Sequence, residues 1–410
     1  MMNPTPITGA DRLFNADGTA IAFERGAGPF VFDTDGKRYI DYICGTGPVV
    51  LGHAHEEFTK RLAQSLSQGI CLPGYGAPHS KLARRFEEHE PGKKVISFFK
   101  SSSDAVSAAV RCAAAQTGRA GFLRCGFLGW HDALIAQTPY WHEQLYVARR
   151  QEIRYTEGYR GVSGEDAVYN WNDLSIETLD QILSKNGENI CLFAFDVFQL
   201  AFMDEETLRL AISKCRAYGI PVLFDETKTG GRVGPTGFLS NFDVKPDYIV
   251  LGKAIGNGAP IALLLGDERY YDVFSRARIG GTYAKELISV NAASHVMDIM
   301  AEIGGYSAIK QGVLTIVDAF NSVINQQGLE DRVRAVSQFN DTVFELIWAP
   351  GVADDVTSRQ AFARSLRDAG ILILDGHCSF VGAIHSTSLD PDKLHETINE
   401  GITNWKRQWS

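Results

Sequence analysis

Apolar residues in this chain gather in short runs that stop abruptly at polar or acidic positions, as strands buried on both faces do. Such runs cover residues 95–99, 191–196, 221–225 and 248–251, with helix-like stretches between them. The alternation predicts an α/β fold with a large, doubly wound, mostly parallel sheet. Helices are predicted over the alanine-rich 105–116 and, leading out of the large domain, over 287–303 with Ala292, Ala293 and Met297 on a small apolar side. Nearer the N-terminus, residues 30–32 and 38–41 flank Asp33-Thr34-Asp35-Gly36, which predicts a hairpin because Asp-Gly tolerates the positive φ of a tight turn. Past residue 300, runs at 351–355, 371–374 and 380–384, then a helix over 391–405, predict a small α+β unit.

The expected organisation is therefore an N-terminal segment of a small domain (1–44), a large domain (45–300) and the C-terminal remainder of the small domain (301–410). A length of 410 residues with 45% hydrophobic content supports a core of that size. Residues 134–170 interrupt the alternation with Tyr140, Trp141, Tyr146, Tyr155 and Tyr159 among Arg149, Arg150 and Arg154. This stretch reads either as an excursion over a site or as a surface flap or dimer contact.

Charge and cysteines narrow the class. A formal charge of −9 argues against an electrostatic nucleic-acid footprint. The seven cysteines contain no CxxC pair, which predicts reduced thiols and a cytoplasmic setting. No run approaches the roughly 20 apolar residues of a membrane span, and Met1-Met2-Asn3-Pro4-Thr5-Pro6 lacks a targeting pattern. His53-Ala54-His55 has too few nearby acidic or thiol ligands for zinc, so no metal is expected. The glycines at 45–47 and 252–258 lack the strand, GxGxxG, helix and acidic residue of a dinucleotide loop.

The chemistry concentrates in two strand ends. Residues 221–225 deliver Asp225, and residues 248–251 deliver Lys253 within Gly252-Lys253-Ala254-Ile255-Gly256-Asn257-Gly258. Alone, the lysine would be a solvated side chain beside a turn and the aspartate a helix cap. Together they are what a pyridoxal aldehyde requires: an amine to hold the carbonyl and a carboxylate to keep the ring nitrogen protonated. Lys100-Ser101-Ser102-Ser103-Asp104 sits between a strand and a helix, where free N–H groups and hydroxyls make either a phosphate cup or an ordinary serine cap.

Lys100-Ser101-Ser102-Ser103-Asp104-Ala105 resembles the Asn-Ser-Gly-Thr-Glu-Ala motif of class III, fold-type I pyridoxal-phosphate aminotransferases, including the glutamate-1-semialdehyde aminomutase branch. The resemblance continues through Asp35-Gly36-Lys37-Arg38, Gly52-His53-Ala54-His55, Thr117-Gly118-Arg119, the run Asp225-Glu226-Thr227-Lys228-Thr229-Gly230, Lys245-Pro246-Asp247 and Gly281-Thr282-Tyr283, over roughly residues 20–400. It implies that Lys253 forms the Schiff base, Asp225 pairs with the pyridinium, and Ser102 and Ser103 contact the phosphate of pyridoxal 5′-phosphate. Gly126-Phe127-Leu128-Gly129-Trp130-His131-Asp132 is similar to a family segment whose first aromatic stacks on the ring, a role that passes to Phe127, or to Trp130 if the register slips. Thr227 stands where the family has a branched aliphatic residue against the ring. Thr282 matches a threonine that reaches the neighbouring subunit's phosphate, which implies a homodimer with sites at the interface.

Arg12, Trp130 and Tyr140 are the candidate substrate contacts. The implied reaction is a ping-pong transfer from an amine donor, glutamate or glutamine, to an aldehyde or ketone of an amino sugar or aminoglycoside intermediate. An aminomutase that moves the group within one molecule is the alternative. A non-catalytic pyridoxal-phosphate or sugar binder is the second.

Overall fold

The computed structural model describes residues 13, 20–131, 134, 168–238, 242–352, 355–373 and 376–409. They form two compact units, one from residues 48–50 and 57–303, the other from the chain before 48, residues 51–56 and the chain from 304 onward. In the second unit β1 (Phe23–Ala27), β2 (Phe30–Asp33) and β3 (Arg38–Asp41) form an antiparallel ladder, with Phe30 opposite Ile40. The predicted hairpin turn is present, with Gly36 at φ +80°.

The larger unit holds a seven-stranded sheet of β4 (Lys93–Phe99), β5 (Gly121–Cys125), β6 (Val168–Asn170), β7 (Ile190–Asp196), β8 (Val222–Asp225), β9 (Tyr248–Leu251) and β10 (Ala262–Asp267). Its order is β4-β10-β9-β8-β7-β5-β6. β6, β5, β7, β8 and β9 run parallel, while β10 is antiparallel to both β4 and β9. Every residue of β7, β8 and β9 is buried, which accounts for their unbroken apolar runs.

Helices cover both faces. The helices along this stretch of chain include α1 (Glu56–Ser65), α2 (Ala77–His89), α3 (Ser102–Thr117), α4 (Ile176–Asn186), α5 (Glu205–Ala217), α6 (Tyr271–Arg276) and α7 (Ile288–Glu302). On one face Ala105, Ala109 and Ala113 of α3 pack with Leu192, Ala194, Val250 and Leu264, the small side chains letting the helix approach the sheet closely. On the other, Leu82 and Phe86 of α2 and Val290 and Ala293 of α7 cover Leu251, Leu263 and Leu265. A further apolar layer joins α4 and α5 to Phe193, Phe195 and Phe224. The doubly wound arrangement follows from strands that are apolar on both sides.

The second unit continues with α8 (Gly305–Gln326), β11 (Val333–Gln338), β12 (Val343–Trp348), α9 (Val356–Ala369), β13 (Ile371–Leu372), β14 (Ser379–Phe380), α10 (His385–Ser388) and α11 (Pro391–Trp409). β13 joins β3 in parallel, and β11, β12 and β14 form a separate antiparallel sheet. Of the run at 351–355, the described residues do not form a strand, and Asp355 caps α9. Residues 350–352 are a turn, and the strands lie earlier, at β11 and β12. Their connection escapes sequence reading because Phe339, Asn340 and Asp341 take left-handed φ of 51°, 56° and 60° without a glycine to mark the turn.

β5 was hidden by Arg124, a buried charge inside an otherwise apolar strand. The aromatic stretch 134–170 lies mostly outside the described residues, but its end is β6, paired in parallel with β5. No helix among the described residues is long and apolar enough to cross a membrane.

Candidate active site

Strand register brings two carboxylates together. Asp196 ends β7, Asp225 ends β8, and the two are directly paired residues on adjacent parallel strands. Both are buried. Like charges so placed repel, and Asp196 is paired with Lys228, itself buried, with its Nζ 2.5 Å from Asp196 Oδ2. Asp196 Oδ2 also accepts from the Phe127 N–H at 3.2 Å, and Oδ1 from the Phe198 N–H at 3.2 Å.

Asp225 is held differently. Oδ1 accepts from the Thr227 N–H at 3.0 Å and from the Thr227 hydroxyl, while Oδ2 takes neither bond. Burial, and then the charge of Asp196, push its pKa up to about 6, against the opposing pull of Lys228 and the Thr227 donors. Thr227 therefore spends its hydroxyl on the carboxylate.

Lys253 follows β9 after an extended Gly252 and adopts φ +48°, a region few residues with side chains occupy. Asn257, at φ +45°, closes this short turn, and its Oδ1 accepts from the Val50 N–H at 2.9 Å. A Cβ on Gly252 would collide with the Ser102 hydroxyl, so the strand end and the start of α3 touch.

The start of α3 is capped by Ser101. Its Oγ accepts from the Asp104 N–H at 3.3 Å, while the Asp104 carboxylate accepts from Ser101 N–H and Oγ–H at 3.2 and 2.8 Å. That capping box is satisfied within the helix and leaves the first-turn N–H groups of Ser102 and Ser103 without intrahelical acceptors, at the positive end of the helix dipole. Ser103 Oγ accepts from the Trp130 N–H at 3.2 Å, which frees its proton for donation. Gly129, at φ +136°, has no room for a side chain against Ser103.

Six of the expected site residues, Lys253, Asp225, Ser102, Ser103, Phe127 and Thr227, line one cavity of about 320 Å³. Thr282 is not among its lining residues. It lines a second cavity of about 410 Å³ with Lys100, Arg111, His131 and Tyr283. Trp130 contributes its backbone to Ser103, but its side chain is 67% exposed and does not line the first cavity. Arg12 and Tyr140 lie outside the described residues. Sequence reasoning missed Lys228, which lines the first cavity, and its partner Asp196. The available signal was that Asp196 ends an apolar run just as Asp225 does.

A family model described as Aminotransferase class-III matches residues 14–401. The chain is 28% identical over 356 residues to a glutamate-1-semialdehyde 2,1-aminomutase of Thermus thermophilus, covering 83% of this chain and 81% of that protein. It is 28% identical over 300 residues to the 2'-deamino-2'-hydroxyneamine transaminase of Streptomyces kanamyceticus, covering 71% of each. Its fold is similar to that of an omega-transaminase from Sphaerobacter thermophilus, with a TM-score of 0.78, 19% identity and coverage of 96% and 94% of the two chains. The FumI protein of Sphingopyxis sp. MTA144, solved in a PLP form, gives a TM-score of 0.80 at 20% identity, covering 100% of this chain and 94% of that one.

The raised pKa of Asp225 carries a stability signature. With a folded value of about 6 against an ordinary 3.8, ionisation costs the folded state nothing below about pH 4 and its full amount above about pH 6. Asp225→Asn removes that cost. Urea unfolding of the cofactor-free protein will find the variant more stable by roughly 3 kcal/mol at pH 7, with the gap closing toward about pH 4. A variant less stable at neutral pH would contradict the assignment.

Proposed function

Because the chain belongs to the class-III aminotransferase family, its cofactor is pyridoxal phosphate and its chemistry amino-group transfer, and we propose that the cavity around Lys253 is where both occur. The observation that carries this reading is the meeting, in that one cavity, of an amine, a buried carboxylate with Oδ2 unengaged by Thr227, and a helix N-terminus with two serines. Each matches a different part of the cofactor. Ser102 and Ser103 suit a phosphate, Asp225 Oδ2 suits a ring N–H, and the Phe127 ring offers a flat apolar face to an electron-poor ring.

When bound, pyridoxal phosphate supplies an electron sink and carries the amino group between the two half-reactions. Lys253 Nζ is the amine that would hold the cofactor's carbonyl carbon and would be released when a substrate amine takes its place. Once released, the Nζ would be placed to take the proton from the substrate's amine-bearing carbon and to give it back later, as base and then acid. Asp225 would keep positive charge on the ring nitrogen, which would lower the cost of charge developing on the substrate carbon. The Thr227 hydroxyl fixes the carboxylate through Oδ1 and so directs Oδ2.

For the finer reaction we favour glutamate or glutamine as donor and a carbonyl of an amino sugar or aminoglycoside intermediate as acceptor. Support comes from the similarity to the Streptomyces kanamyceticus transaminase, and a charge of −9 tolerates polycationic acceptors. The similarity to the Thermus thermophilus aminomutase supports a second reading, transfer within one molecule. A homodimer is also part of the proposal. Exposed Ile70, Tyr75 and Tyr283 lie on segments joined by the Leu287 N–H to Ile70 carbonyl bond of 2.8 Å and the Cys71–Glu286 bridge, and they give the Thr282 region an apolar face for a second copy.

Added pyridoxal phosphate should give the wild type a visible absorbance band that glutamate or glutamine bleaches. Lys253→Ala should lose amine transfer by at least about 10²-fold. Turnover that depends on a separate donor supports the aminotransferase reading, and turnover of a lone amino-carbonyl substrate supports the aminomutase. A protein that stays colourless with cofactor, and whose Lys253→Ala variant has an unchanged spectrum, would remove the enzyme reading. Sedimentation should give twice the 45.1 kDa chain mass, and Thr282→Val should weaken cofactor binding; a monomer indifferent to Thr282→Val contradicts the shared site.

A further inference from the structure

The proposed reaction uses one of the paired carboxylates and leaves the other without a task. Asp196 is buried beside Asp225, and its charge works against keeping Asp225 ionised. Lys228 meets that charge at 2.5 Å while lining the same cavity as Lys253 and Phe127. Its Nζ lies 5.7 Å from the centre of the Phe127 ring and 5.3 Å from that of Phe198, and both of those residues donate their N–H to Asp196. One ion pair thus ties the end of β7, the segment after β8 and the segment after β5 to a single point at the cavity wall.

We propose that Asp196 and Lys228 are a positioning pair for the cofactor: Lys228 cancels the second carboxylate so that Asp225 stays ionised toward the ring nitrogen, while Asp196 anchors Phe127 against the ring. The inference rests on the cavity being the pyridoxal-phosphate site. The charged groups around Asp225 are Asp196 from β7, Glu226 and Lys228 on its own segment, Lys253 from the turn after β9, and Lys100 before α3. Of these, Asp196 raises the proton affinity of Asp225 and Lys228 lowers it, so removing one partner leaves the other unopposed. Removing both restores the balance. A purely structural staple would show no such opposition, because either single change would loosen the same contact.

The test is equilibrium binding of pyridoxal phosphate to the full chain, followed by protein fluorescence from about pH 5 to about pH 9. It uses the wild type, Lys228→Gln, Asp196→Asn, the double variant and Lys228→Arg. Lys228→Gln should move the acid limb of binding up by about one pH unit and weaken binding about tenfold on that limb. Asp196→Asn should move the limb down. The double variant and Lys228→Arg should return it toward wild type. Equal weakening by both single variants at every pH, with the limb unmoved, or a double variant no better than the worse single one, would overturn the inference. If Lys228→Gln does not fold, Asp196→Asn against the double variant still decides, through a lowered limb that the second change restores. A wild type that binds no pyridoxal phosphate fails the reading of the cavity itself, and the pair falls with it.

Discussion

Two carboxylates stand side by side at the C-terminal edge of a buried sheet, and the rest of the site is arranged around making that tolerable. Isolated buried charges are costly, and adjacent like charges more so. Asp196 is met by an ammonium and by N–H groups of Phe127 and Phe198. Asp225 is met by Thr227 on Oδ1 alone, which leaves Oδ2 out of that contact. The asymmetry matters chemically. It makes Asp225 the place where a further cation is welcome, and a protonated ring nitrogen is such a cation. Strand register enforces the pairing, since a slip of one residue in β8 would turn Asp225 to the opposite face of the sheet.

Backbone geometry does the rest of the positioning. Gly252 and Gly129 remove side chains where the lysine turn and the aromatic segment approach Ser102 and Ser103, and any Cβ there would push them away. The alanine stripe of α3 lets that helix lie close on the sheet, so its N-terminus reaches the strand ends. Lys253 then follows a buried strand in a left-handed conformation, a cost repaid by the packing around it. Placement of Lys253, Asp225 and the start of α3 is therefore one problem of close packing.

Much of this was legible in the sequence. Asp225 and Lys253 are readable because each interrupts or follows an apolar run of a length that only a buried strand explains, and such strands deliver their ends to one edge. The helix after Ser101 is readable from its cap and its alanines. Other features were not. Asp196 has the same sequence signature as Asp225, but that the two are neighbours depends on which strands pair, a long-range fact. Lys228 looks like a solvated lysine until Asp196 is placed beside it. The turn at 339–341 carries no glycine, and Arg124 disguises β5, because in both cases surrounding structure overrides local preference. Trp130 reads as a binding aromatic, although its backbone, not its ring, reaches the site.

Among the described residues three lysines line the cavity, Lys100, Lys228 and Lys253, and we assign the bond to pyridoxal phosphate to Lys253 alone. Borohydride reduction of the protein with pyridoxal phosphate, followed by peptide mass mapping, reads that assignment directly. The reduced pyridoxyl phosphate should be found on Lys253. Its recovery on Lys228 or Lys100, or on no cavity lysine, would contradict the account.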